Sequence, residues 1–243
     1  MDNYKNCNIA GIPCVQINPS IKPRGTVLLY HGWVSNIYDY VFFASLIANW
    51  GYKVILPELP YHGERGRLNY FDTLVLQQYF WIVVLQGVKE AEEIVSELSL
   101  TDENIGIVGH STGGFIAASV FSRVSRVQSA IVINGSCAWI KCEELFREMD
   151  GRNSMSSNER ILLEEYDPAH HLDFNGNRAL LLLHGKEDTT IPIESQRYFM
   201  NAMMPYHISS DYLQLVEYSK VNHQITLGML EKSKAWLYKH LGN

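Results

Sequence analysis

Short apolar runs alternate along the chain with longer stretches in which apolar residues recur every three or four positions. Runs at 26–30, 53–56, 104–108, 130–133, 179–183 and 213–217 are mostly apolar. They predict strands covered on both faces. Between 72 and 98, Trp81, Val84, Val88, Ala91, Val95 and Leu98 fall three or four residues apart on one side of a helix. Lys89, Glu90, Glu92, Glu93 and Glu97 lie mostly on the other side and read as a solvated surface. Helices are also predicted over 39–50, stopped by Gly51, over 195–203 and over 225–241. Strands alternating with helices define an α/β chain with a mostly parallel central sheet flanked by helices.

The alternation fails once. Residues 137–177 carry helical patches but no clear strand, with turn-prone clusters at Gly151-Arg152-Asn153-Ser154 and Asn175-Gly176-Asn177. A loop of this length inside a compact domain is usually functional or holds helices of its own. The expected organisation is one domain over 1–243 with a small cap inserted at 137–177.

Composition narrows the partners. Of 243 residues, 47% are hydrophobic and 19% charged, which excludes intrinsic disorder. Lys plus Arg is 20 and Asp plus Glu is 26, a net charge of −6. That balance argues against nucleic acid or an anionic membrane surface as the main partner. No apolar run reaches the ~18 residues of a membrane span. The segment Met1-Asp2-Asn3-Tyr4-Lys5-Asn6-Cys7 lacks a basic and apolar leader pattern. The expectation is a cytoplasmic protein whose Cys7, Cys14, Cys137 and Cys142 are free thiols. Cys137 and Cys142 have no Cys/His pair nearby to complete a zinc site, so no metal is expected. His170 and His171, with Asp173, form another potential ligand set, but adjacent histidines face one ion poorly. They are read as cap residues.

The chemistry concentrates after the third apolar run. Gly109-His110-Ser111-Thr112-Gly113 is a G-x-S-x-G segment, followed by Gly114 and the helical stretch Phe115-Ile116-Ala117-Ala118. A serine hydroxyl is a weak nucleophile unless it is held exposed beside a base. A sharp strand-to-helix turn does this, with small flanking residues letting the two elements approach. In that arrangement an acid and then a histidine follow after later strands. Asp188 follows the run at 179–183, and His223 follows the run at 213–217. Competitors are Glu187 for the acid, and His207 and His184 for the histidine. His184 and His110 are expected to pack inside.

An oxyanion needs two N–H donors. The expected pair is the Thr112 N–H and the Trp33 N–H, the latter in the loop Tyr30-His31-Gly32-Trp33-Val34-Ser35-Asn36. The Trp33 ring would wall one side of the site, with packing inside the core as its alternative. With Phe115 and Trp139 it is a candidate lining for an acyl group, as are Ile140, Leu145, Phe146 and Met149. The cluster Glu64-Arg65-Gly66-Arg67 reads as a surface ion-pair group.

On these residues the chain resembles the α/β-hydrolase superfamily, and within it the bacterial serine esterases related to the prolyl-oligopeptidase catalytic domain. The resemblance runs over 26–241. It rests on His31-Gly32-Trp33, Gly109-His110-Ser111-Thr112-Gly113-Gly114, His184-Gly185-Lys186-Glu187-Asp188 with Ile191-Pro192, and His223. Leu59-Pro60-Tyr61-His62-Gly63 departs from the family's usual aspartate-proline-glycine-histidine-glycine loop, so only its position near the site mouth carries over.

The resemblance implies the α/β-hydrolase fold, a Ser111–His223–Asp188 triad and an acyl-enzyme. It implies no cofactor. The expected activity is a carboxylesterase acting on small or medium acyl esters. A thioesterase, or an amidase or peptidase confined to short peptides, uses the same triad. A non-catalytic hydrolase-fold binding protein is the alternative of another class. The expected partner is a small-molecule ester, with a homodimer as an alternative assembly.

Overall fold

The computed structural model describes residues 4–102, 104–171 and 178–242. Its eight strands are β1 (Tyr4–Ile9), β2 (Ile12–Ile17), β3 (Thr26–Tyr30), β4 (Lys53–Pro57), β5 (Ile105–His110), β6 (Val127–Ile133), β7 (Ala179–Gly185) and β8 (Leu213–Tyr218). The helices are α1 (Val41–Asn49), α2 (Thr73–Leu98), α3 (Thr112–Arg123), α4 (Trp139–Asp150), α5 (Ser157–Glu164), α6 (Pro168–His171), α7 (Glu194–Met203) and α8 (Leu227–His240). One sheet holds all the strands, in the order β1-β2-β4-β3-β5-β6-β7-β8. From β4 to β8 every pairing is parallel. Each apolar run of the sequence falls on a strand of this parallel block, with β5 beginning one residue into the run at 104–108.

Alternation along the strands splits the core in two. Leu28, Ile107, Val132 and Leu182 pack against α2, α3 and α7. Val27, Leu29, Val108, Ile131 and Leu181 pack against α1 and α8. The long helix α2 starts where the sequence places it, because the Asp72 carboxylate accepts hydrogen bonds from the Leu74 and Val75 N–H groups. Gly51, at φ +96°, ends α1 in a left-handed turn.

The chain order fixes where a ligand can bind. From β3 the chain runs outward to β4, then returns to lay β5 on the other side of β3. The loops after β3 and β5 therefore part in opposite directions, opening a crevice at the carboxyl ends of these two strands.

Two features lie outside the sequence expectation. β1 and β2 form an antiparallel hairpin at the sheet edge, pairing Ile9 with Ile12 across Ala10 and Gly11. Both turn residues have positive φ, +50° and +79°. This two-residue turn lacks the usual Asn-Gly signal, and β1 is mostly solvated, so neither turn chemistry nor alternation marks it. The second concerns the charges on α2. Glu90 pairs with Arg65 through two hydrogen bonds of 2.7 and 2.5 Å, and Glu92 pairs with Arg123 at 2.7 Å. Arg65 is half-buried and also donates to the Glu58 carbonyl. It ties the loop after β4 to α2 and is not part of a solvated cluster.

Among the described residues, 137–171 hold α4, α5 and α6 and no strand. The Asn175-Gly176-Asn177 cluster and Asp173 lie outside the described residues, as does Met1-Asp2-Asn3. No described helix is long and apolar enough to cross a membrane.

The strand-to-helix turn is packed backbone against backbone. A Cβ at Gly113 would lie 2.3 Å from the Tyr30 carbonyl oxygen, and one at Gly109 would collide with the Gly113 carbonyl. Both obstacles are backbone and cannot swing away. Gly113→Ala is therefore expected to destabilise the fold by about 3 kcal/mol. In a chain of this size that lowers Tm by roughly 6–12 °C. An unchanged melting curve would contradict this packing.

Candidate active site

Ser111 sits between β5 and α3 with φ +56° and ψ −123°. Such a backbone costs about 1–3 kcal/mol for a residue with a Cβ, so surrounding bonds must hold it. Here they do. The Ser111 N–H donates to the Ile133 carbonyl at the end of β6 (2.9 Å). The Gly113 N–H donates to the His31 carbonyl (3.1 Å), and the Gly114 N–H to the Ser111 carbonyl (2.8 Å). The turn is thus pinned to the neighbouring strands on both sides.

The structure brings Ser111, His223 and Asp188 into one chain of hydrogen bonds. Ser111 Oγ lies 2.8 Å from His223 Nε2, and His223 Nδ1 lies 2.8 Å from Asp188 Oδ2. A carboxylate only accepts, so the imidazole proton belongs on Nδ1 and the serine O–H donates to Nε2. The Asp188 side chain has no exposed surface, while His223 is partly exposed. Asp188 Oδ1 accepts from the Thr190 and Ile191 N–H groups at 2.9 Å each. Burial alone would raise the Asp188 carboxyl. Hydrogen bonds from the His184 and His223 rings, the His223 charge and the Ile191 N–H outweigh it and hold the group well below the usual carboxylate range.

The competing residues fall elsewhere. Glu187 turns outward and accepts from the Lys220 N–H. His207 ends the turn after α7, outside this bond chain. His184 is buried and lies 2.9 Å from the Ile191 carbonyl and 3.4 Å from Asp188, supporting the acid loop from below. His110 lies half-buried beside the His223 ring, centroids 5.1 Å apart, with its Nδ1 2.6 Å from the Tyr40 hydroxyl. Burial and the nearby His223 push its pKa down to about 3, so it stays neutral beside the His223 imidazole.

Gly32 lies against Ser111: a Cβ there would stand 3.3 Å from the Ser111 Cβ. The Trp33 and Thr112 N–H groups flank this point, and neither has a hydrogen-bond partner among the described residues. The Trp33 ring is 8% exposed and packs edge-on to His62 and Tyr70, its indole N–H donating to the Tyr70 carbonyl.

The expected acyl lining needs correction. Phe115 and Trp139 have no exposed surface. Phe115 meets Phe80 and Trp81 edge-on, and Trp139 packs on Trp81 at 5.3 Å. They weld α2, α3 and α4 together, because the helical period that brings apolar residues onto one face also buries them there. Phe146 is partly buried against Phe80, and Met149 is 59% exposed.

The contacts of three polar residues around the site escaped sequence reasoning, although the loop holding His62 was expected near the site mouth. Buried Glu58 lies 2.9 Å from His31 Nε2. Buried His62 donates from Nε2 to the Trp33 carbonyl at 2.6 Å, fixing the backbone that carries a free N–H. Burial, and then the neighbouring His31, lower the His62 pKa. Asn134 follows β6. The signal available was positional: each stands within a few residues of a strand's carboxyl end. As for the expected cap histidines, His171 Nε2 donates to the Glu164 carbonyl, and His170 lies 3.6 Å from the Glu164 carboxylate.

Fold and arrangement define a serine hydrolase of the α/β-hydrolase fold. The model of the prolyl oligopeptidase family matches residues 39–243, and the chain belongs to that family. Esterase YjfP of Escherichia coli (strain K12) is 27% identical over 99% of this chain and 100% of its own length. The solved structure of TT1662 from Thermus thermophilus superposes with a TM-score of 0.80 at 21% identity, covering 97% of this chain and 96% of the other. The Pyrococcus horikoshii acylaminoacyl peptidase gives 0.69 at 15% identity, over all of this chain but 43% of that one. At these identities the structural likenesses establish the fold.

The pH dependence follows from the Asp188 environment. Its carboxyl is held below the usual carboxylate range and adds no protonation step above about pH 4, so the acid limb of kcat/KM there is expected to rise with a slope no greater than one. A slope of two in a pH-rate profile would mean that the carboxyl titrates in the same range. For stability the sign is that of a depressed acid. The ionised Asp188 stabilises the fold above the usual carboxylate pKa, and this contribution is lost as pH falls toward its lowered value.

Proposed function

We propose that this serine hydrolase is a carboxylesterase that cleaves small or medium acyl esters through an acyl-enzyme on Ser111. The observation that carries the proposal is the continuous bond chain Ser111 Oγ–His223–Asp188 on a backbone held in the left-handed region. In this mechanism His223 Nε2 takes the serine proton as Oγ attacks the carbonyl carbon. The Trp33 and Thr112 N–H groups receive the oxyanion. His223 then gives its proton to the leaving alcohol, and the acyl group stays on Ser111. Water then attacks the acyl carbon as His223 takes its proton, the acyl–Oγ bond breaks with that proton returned to Ser111 Oγ, and the acid leaves. Asp188 holds the imidazole in one tautomer and stabilises its charged form. Full-length likeness to a protein named an esterase supports ester cleavage over amide cleavage.

The segment 137–177 is proposed as a cap that sets acyl preference. Its support is the placement of α4 beside α2, with Phe146 on Phe80 and the exposed Met149 at its end. A cytoplasmic location belongs to the same reading. It is supported by the four cysteines, all unpaired, of which Cys7 and Cys14 stand opposite each other in the hairpin.

Purified protein is expected to hydrolyse short and medium p-nitrophenyl esters and to be labelled by a fluorophosphonate. Ser111→Ala should lower kcat by roughly 10⁴–10⁶ and abolish labelling. A variant keeping a tenth of the activity would remove Ser111 from the mechanism. Asp188→Asn should cost about 10⁴. Acyl-CoA and aminoacyl-naphthylamide substrates, assayed in parallel, decide against the ester reading if either is turned over faster. An unlabelled wild type would make the chain a binding protein.

A further inference from the structure

We infer that Asn134 is a positioning residue that sets the distance between the acid loop and the histidine loop. The inference rests on the proposed roles of Asp188 and His223. Asn134 follows β6, is fully buried, and contributes both ends of its amide. Its Oδ1 accepts from the Gly185 N–H at 3.0 Å, three residues before Asp188. Its Nδ2 donates to the Gln224 carbonyl at 3.2 Å, the residue directly after His223. Its own N–H donates to the Leu183 carbonyl at 2.9 Å. The residue before it, Ile133, accepts the N–H of Ser111. One short segment therefore touches the backbone of all three loops that converge on the site.

The residue type answers two demands at once. The backbone has φ +46°, a region that asparagine tolerates better than most residues with a Cβ. The side chain must accept from one loop and donate to the other. An ionised carboxylate offers only acceptors, and a hydroxyl is too short to span both. β7 and β8 are parallel neighbours whose carboxyl ends carry the two loops. The Asn134 amide reaches both from the adjacent strand, so their separation is set from a third element. His223 is the side chain most sensitive to this. It must meet Asp188 on one nitrogen and Ser111 on the other, both at 2.8 Å. A shift of about 1 Å in such a geometry can cost 10²-fold in rate.

Two variants separate positioning from folding. Asn134→Gly removes the amide and accepts φ +46° without strain. Asn134→Ala removes the same amide but adds strain at that backbone. Both are expected to lower kcat and the fluorophosphonate labelling rate by about 10²-fold, with KM within twofold. The Ala variant should melt below the Gly variant while matching its kcat. Wild-type kcat in either folded variant overturns the inference. So does a kcat that follows Tm from one variant to the other, or a Gly variant that does not fold, because each makes the role structural. A wild type that the probe does not label defeats the proposed function instead, whatever the variants do.

Discussion

Close approach of backbone to backbone at residues 109–113 governs the rest of the molecule. β5 can turn into α3 within one residue only because Gly109 and Gly113 leave no side chain between strand, helix and β3. That turn drives Ser111 into the left-handed region and lifts its hydroxyl out of the sheet. It also frees the Thr112 N–H at the start of α3, where the helix dipole favours negative charge. The position of the hydroxyl, the free N–H and the packing density thus come from one steric condition. The parallel sheet supplies what the turn needs. Its neighbouring strands offer the His31 and Ile133 carbonyls that hold the strained segment in place.

Much of this was legible because parallel strands buried on both faces advertise themselves. The runs at 26–30 and 179–183 contain little but apolar residues, and each lies inside a strand. That Asp188 and His223 would meet Ser111 was legible for a related reason: each closely follows the carboxyl end of a later parallel strand. What stayed hidden has physical causes too. β1 is an edge strand in solvent, and its polar residues carry no alternation. Phe115 and Trp139 sit at helical spacing beside the site, yet periodicity tells only that a face is covered. It does not distinguish a face covered by other helices from one covered by a ligand. Asn134 and His62 act through backbone carbonyls and amides, which no side-chain pattern records.

The buried polar groups around the crevice form an outer frame. Glu58 and His31 meet at 2.9 Å with almost no exposure, and His62 caps the Trp33 carbonyl. Taking such groups from water is costly unless their hydrogen bonds are made. Here they are made to the loops after β3 and β4. Both loops are thereby fastened to each other, while Arg65 fastens the second to α2. Binding surfaces built on loops usually trade rigidity for variety. Here the loop that offers the Trp33 N–H is braced from within.

The hairpin at the sheet margin has a consequence for how copies of the chain meet. A sheet that ended at β4 would present a regular, apolar row of unpaired amides to any neighbouring molecule. The antiparallel pair covers that row and substitutes an outer border bearing Lys5, Asn6 and Asn8, all solvated. Such a border is a poor template for strand addition between molecules. Two short segments at the start of the chain, which contribute no group to the proposed chemistry, thus guard the protein against stacking edge to edge in a crowded solution.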